Sequence, residues 1–171
     1  MNKLNLGCSN NIKDNYINID LYSNDPRVKI ADVQNLSFIE NETIIEIIAH
    51  DILEHIPFNR SSDVIKEWCR VLAPNGLISI QTTNITEHIK ALMSGKWSLE
   101  IFNFMLFAGI GWTDGISREQ DWHKSIYTIE YIKEQLLSNN IKIINTHYDS
   151  YENAGNSNLN LYIQGIKKNE M

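Results

Sequence analysis

Cysteine is almost absent from this chain: Cys8 and Cys69 are its only two. A disulfide framework is not expected, and two thiols cannot build a cysteine-rich zinc site. One sits at an apparent strand exit and the other in an amphipathic helix, settings that suit a reduced interior, so a cytoplasmic location is expected. Basic clusters are missing as well. The 15 Lys and Arg stand against 21 Asp and Glu, a formal charge of -6, with no cationic block to neutralise a run of phosphates, and nucleic acid is not an expected partner. Long apolar runs are also lacking. The stretch after Lys3 stops at Gly7, far short of a signal-peptide core, and no transmembrane segment is expected. The longest apolar concentration, IFNFMLFAGIGW at 101–112, is too short and too interrupted by glycine to cross a bilayer. It reads as core or lid, with a homodimer surface or a monotopic membrane contact as alternatives.

What remains is 171 residues, 43% of them apolar, enough for one sizeable core and one domain spanning 1–171. LNLGC at 4–8 and YINIDL at 16–21 read as strands, VKIAD at 28–32 as a short extended segment, and TIIEIIA at 43–49 as a central strand buried on both faces. Asn59, Arg60 and Ser61 lead into a helix carrying Val64, Ile65, Trp68, Cys69 and Leu72 at helical spacing. Pro74 ends it, Asn75-Gly76 turns the chain, and LISIQT at 77–82 returns as a strand. That is a βαβ crossover. Ile85 to Met93 can form a short helix, and Thr128 is an expected N-cap for another carrying Ile129, Ile132, Leu136 and Leu137. IKIINTHY at 141–148 and LNLYIQGI at 159–166 form an antiparallel terminal pair. The expected architecture is α/β: a Rossmann-like, mostly parallel sheet with an antiparallel C-terminal strand pair, and a lid or acceptor-side insertion at 95–122.

Gly7 lets the chain turn closely past a ligand at the carboxyl end of the first strand, where doubly wound sheets bind ligands. Asp20 ends the next strand on the same edge, and a carboxylate there can accept both hydroxyls of a ribose. A turn glycine and a capping aspartate would look the same in sequence. Asp32 is open in the same way, to an adenine amino group or to turn capping. Residues 9–15 offer at most one helical turn, which argues against a dinucleotide dehydrogenase, whose pyrophosphate uses the positive end of a helix there.

The motifs LNLGCSNN, INIDL, HDILEHIP, WCRVLAPNGLISIQT and DWHKSIYT, in that order, resemble those of class I S-adenosylmethionine-dependent methyltransferases, especially short members associated with sugar and cell-envelope biosynthesis. The resemblance covers most of the chain. It implies that Gly7 with its neighbours Cys8 and Ser9 passes under the methionine portion of S-adenosylmethionine. It further implies that Asp20 binds the ribose, that Asp32 lies near the adenine, and that His50 and Asp51 line the exit of the fourth strand. Ser9, Asn10 and Asn11 depart from the family's glycine-richer pattern, and Ser9 adds a Cβ where close backbone approach is usual.

HDILEH places His50, Asp51, Glu54 and His55 just after the central strand. If it opens as a helix, His50 shares a face with Glu54, and Asp51 with His55. Such a cluster could orient a base or simply cap a helix. The spacing is not HExxH, Pro57 follows closely, and no metal is required. In DWHKSIYT, Trp122 or Tyr127 can supply an apolar wall while His123 accepts a proton from a hydroxyl; solvated packing at a helix entrance is the plainer reading. His55 and His123 are the candidate bases. The expected function is O-methylation of a small-molecule or saccharide acceptor. The rival is a noncatalytic, methyltransferase-like structural or regulatory protein in envelope or polysaccharide assembly.

Overall fold

The computed structural model describes residues 2–107, 121–153 and 159–169. The chain runs through β1 (Asn2–Leu6), β2 (Ile17–Asp20), β3 (Val28–Ile30), β4 (Ile44–His50), a 3-10 turn at Leu53–His55, α1 (Phe58–Val71), β5 (Leu72–Thr83), α2 (Ile85–Met93), α3 (Leu99–Leu106), α4 (Ile129–Ser138), β6 (Ile141–Tyr148) and β7 (Asn160–Lys167). One seven-stranded sheet has the order β3-β2-β1-β4-β5-β7-β6. The first five strands are parallel, and β7 lies antiparallel between β5 and β6. The α/β, Rossmann-like, mostly parallel sheet with its antiparallel C-terminal pair is therefore as expected.

Register explains which face is the core. Leu6 is paired with Ile19 and Ala49, Ala49 with Ile80, and Ile80 with Ile163, so one row of buried apolar residues crosses the sheet. The amphipathic α1 lays Val64, Ile65, Trp68 and Cys69 on that face, and α4 adds Ile132 and Leu136. Trp68 is fully buried and donates Nε1–H to the Val33 carbonyl at 2.9 Å, so its one polar atom is satisfied.

Where a doubly wound fold usually carries helices, this chain uses turns and irregular backbone pinned by side chains. On the opposite face of β1 and β2, Asn5 and Asn18 are both buried and paired, with Asn5 Nδ2 donating to Asn18 Oδ1 at 2.8 Å. Asn5 also donates to the Asn11 carbonyl and Asn18 to that of Lys13, while the Lys13 amide donates to Asn18 Oδ1. The polar pair thus satisfies the backbone of the 7–16 loop, as a helix's own hydrogen bonds would. Residues 31–43 are held similarly: Glu67 accepts from the Leu36 amide, and Arg70 donates to the carbonyls of Leu36 and Ile39.

Two boundaries differ from the sequence reading. Helix α1 begins at Phe58 behind Pro57, whose φ of -55° is already set for entry. Ser61 instead lies inside, donating to the Phe58 carbonyl and sharing a hydrogen bond with Tyr131 Oη. The helix also stops at Val71 rather than Pro74, because Leu72 is already paired with Ile44. Lys167, buried on β7, donates to the Cys69 and Leu72 carbonyls at this end and pairs with Glu42. Within 101–112, α3 leaves Phe104 partly exposed, and residues 108–112, including Gly109, Gly111 and Trp112, lie outside the described set. No helix of the described residues is long and apolar enough to cross a membrane.

Candidate active site

A cavity of about 300 Å³ opens at the carboxyl ends of β1, β2 and β4, lined among others by Gly7, Ser9, Asp20, Asp32, Asp51 and His55. These six are sequence-expected residues drawn from four separate stretches of chain. Gly7 has φ +64°, and a Cβ there would stand 2.6 Å from the Ile52 side chain. Glycine is required by both conformation and space, so the β1 exit and the segment after β4 can close on each other. Ser9 adopts φ +43° without being glycine, a conformation that costs a residue with a Cβ.

Asp20 is pre-oriented by the loop it faces. Its Oδ2 accepts the Ser9 amide at 2.9 Å and its Oδ1 the Tyr22 amide at 2.8 Å. Each carboxylate oxygen retains a second lone-pair direction for a ligand hydroxyl. Asp32 similarly accepts the Gln34 amide at 2.9 Å, so capping and cavity lining coexist at this residue. Asp51 sits at φ +53°, donates its amide to the Gln81 carbonyl, and receives Gln81 Nε2 on both oxygens at 3.1 Å.

That left-handed Asp51 explains why HDILEH does not open as a helix. Only a single 3-10 turn forms, and the His50/Glu54 and Asp51/His55 pairs do not share a helical face. His50 points elsewhere: its Nε2 is 2.6 Å from Ser79 Oγ, and its ring meets Tyr162 edge-on. Cys8 is also absent from the cavity lining, with its thiol buried and pushed up to about 11 by burial and by the Asp20 charge.

Glu54 is buried beneath the turn. It accepts from Thr82 Oγ1 at 2.8 Å, and burial pushes its carboxyl up to about 7. Its carbonyl takes the amides of Lys124 and Ser125, Ser125 Oγ donates to the Ile56 carbonyl, and Tyr127 Oη donates to that of Leu53. The 121–127 segment is thereby tied to the turn that carries His55. Tyr127 is itself buried. The His55 and His123 rings meet edge-on with centroids 5.0 Å apart. Burial lowers the pKa of His55, and burial with the neighbouring His55 takes His123 down to about 4. His123 is outside the cavity lining but in contact with it through His55.

Ile52, Gln34, Tyr22 and Lys124 line the cavity too. Lys124 belongs to the DWHKSIYT motif, whereas the other three carry no chemical signal in sequence. No group of three or more His, Cys, Asp or Glu suited to a metal occurs among the described residues.

The fold is one shared with solved S-adenosylmethionine-dependent methyltransferases. Such an enzyme from Methanosarcina mazei superposes with a TM-score of 0.70 at 17% identity, over 99% of this chain and 93% of that one. One from Archaeoglobus fulgidus gives 0.70 at 12%, over 97% and 86%. An N-methyltransferase from Bradyrhizobium japonicum, solved with S-adenosyl-L-homocysteine, gives 0.61 at 12%, over 98% and 78%. No family model and no curated protein matches the sequence.

Proposed function

We propose that the protein is an S-adenosylmethionine-dependent methyltransferase acting on a hydroxyl of a small-molecule or saccharide acceptor. One observation carries this reading: Gly7, Ser9, Asp20, Asp32, Asp51 and His55 converge on a single cavity at the carboxyl edge of a methyltransferase-type sheet. The donor set fits the ligand. Asp20, fixed by two amides, can take the ribose hydroxyls; Asp32 can take the adenine amino group; carboxylates at Asp51 and Asp121 complement cationic methionine groups.

When bound, S-adenosylmethionine supplies an electrophilic methyl on a positively charged sulfur. His55 and His123 stand beside this cavity as neutral imidazoles at pH 7, able to accept the proton the hydroxyl gives up. The acceptor oxygen's lone pair forms the new bond to carbon, and the carbon–sulfur pair returns to sulfur, leaving S-adenosylhomocysteine. The protein's main contribution is alignment of the acceptor with the methyl. Residues 95–122 are proposed as a lid or acceptor wall. Hydrogen exchange with and without S-adenosylhomocysteine tests this: protection should rise there, and an unchanged pattern would leave only a static wall.

The noncatalytic alternative is favoured by Ser9, whose Cβ occupies a left-handed loop position. Calorimetric titration with S-adenosylmethionine and S-adenosylhomocysteine separates the two readings. Saturable binding supports the enzyme, whereas absence of both supports the alternative.

A further inference from the structure

The charges around the cavity are unevenly matched. Asp20, Asp32, Asp51 and Asp121 all line it, and among the described residues Lys124 is the only Lys or Arg that does. Three of these carboxylates are already held by uncharged donors: Asp20 by the amides of Ser9 and Tyr22, Asp32 by the Gln34 amide, and Asp51 by Gln81 Nε2. Lys124 is exposed, and none of the ion pairs among the described residues includes it. An acid-rich wall thus leaves its single ammonium uncommitted.

The backbone that carries this ammonium is fixed. The Lys124 amide donates to the Glu54 carbonyl at 2.7 Å, and the Ser125 amide to the same oxygen at 3.1 Å. Ser125 Oγ donates to the Ile56 carbonyl. Lys124 is thereby fastened to the turn whose His55 and Ile56 also line the cavity. Burial lowers the pKa of His55 and the Lys124 charge acts in the same direction, so the ammonium stands within electrostatic reach of that ring. A lysine in this setting is a point charge with three donors on a flexible stem, suited to follow a ligand's anionic group.

S-adenosylmethionine matches the distribution group by group. Its ribose hydroxyls and adenine amino group are donors, and its sulfonium and ammonium are cations, all suited to carboxylates. Its one anionic group is the carboxylate of the methionine tail, which four aspartates would repel if no cation stood among them. Resting on the methyltransferase reading, we propose that Lys124 binds the methionine carboxylate of the donor. Donor binding then ties the 121–127 segment to the ligand as well as to the His55 turn. The same ammonium discriminates against a donor without the carboxylate, whose remaining amine would meet cation with cation.

Calorimetry on the full-length protein compares S-adenosylhomocysteine, its decarboxylated form, and methylthioadenosine, which lacks the amino-acid tail. Lys124→Met keeps an unbranched apolar stem and removes the charge. It should weaken S-adenosylhomocysteine about fivefold, the upper end for a solvent-exposed ion pair. Methylthioadenosine should bind it as it binds the wild type, and the decarboxylated form no more weakly. Lys124→Arg, which keeps the charge, should restore most of the affinity for S-adenosylhomocysteine. An equal loss for all three ligands, or no loss for S-adenosylhomocysteine, would overturn the assignment while the methyltransferase reading stands. Wild-type protein that binds none of the three would overturn both.

Discussion

Asp20→Asn is the substitution whose outcome follows most directly from geometry. The carboxylate accepts backbone amides on both oxygens, from Ser9 at 2.9 Å and Tyr22 at 2.8 Å. An asparagine can keep the acceptor toward one of them, but its amide group then faces the other amide, donor against donor. The charge available to a ribose hydroxyl is lost at the same time. A hydrogen bond to a charged group contributes about 1.5–3 kcal/mol, so affinity for S-adenosylhomocysteine should fall about 10-fold to 150-fold. The cavity mouth is open to water, which favours the lower part of that range. A modest fall in Tm should accompany it as the 7–16 loop loses one anchor. Calorimetry on a variant shown to be folded by thermal melting measures both effects. An unchanged Kd in a folded Asp20→Asn protein would refute the ribose assignment.

Ser9→Gly should raise stability by about 1 kcal/mol, since a left-handed serine costs about 1–3 kcal/mol and glycine's extra chain entropy returns part of the gain; a lower Tm would mean that the Ser9 side chain contributes more than its strain. Glu54→Gln should alter the pH dependence of stability. With the folded carboxyl at about 7 and an ordinary value of 4.5, the folded state holds the extra proton between those values. Its stabilising contribution is therefore present below about pH 4.5 and lost as pH rises toward 7. Urea melts across that window should lose this slope in the variant, and an unaltered slope would place the effect elsewhere. His123→Ala should lower turnover more than donor affinity if His123 acts on the acceptor, with His55→Ala as the parallel; equal losses in both measurements would indicate a collapsed pocket.

The strands and most helices were legible because their signals are local. Thr128 caps α4 as its hydroxyl position suggested, accepting the Tyr131 amide at 3.3 Å, and the 141–148 strand follows from its β-branched run. The α1 entrance differs because Asn59, Arg60 and Ser61 read in sequence as the lead into the helix, while the decisive element is Pro57. HDILEH could not be resolved from spacing, since the helix is prevented by the left-handed Asp51 and its contacts with Gln81, thirty positions away in sequence. The same non-locality hid a buried histidine: His88 sits in an ordinary amphipathic helix, and only the fold places its ring against Trp97, with Nε2 lacking a hydrogen-bond partner among the described residues. Nor did the pattern of β4 show that His50 would turn to Ser79 and Tyr162 while Asp51, its neighbour, lines the cavity.

The central claim, that the cavity at the carboxyl ends of β1, β2 and β4 holds the methyl donor, is tested most directly by amide NMR on the full-length protein during titration with S-adenosylhomocysteine. Saturable one-to-one binding is expected, with the largest shifts at the amides of Gly7, Ser9, Tyr22 and Gln34, which border or contact Asp20 and Asp32. Saturable binding that leaves those four amides unmoved, or no binding at millimolar ligand, would contradict it.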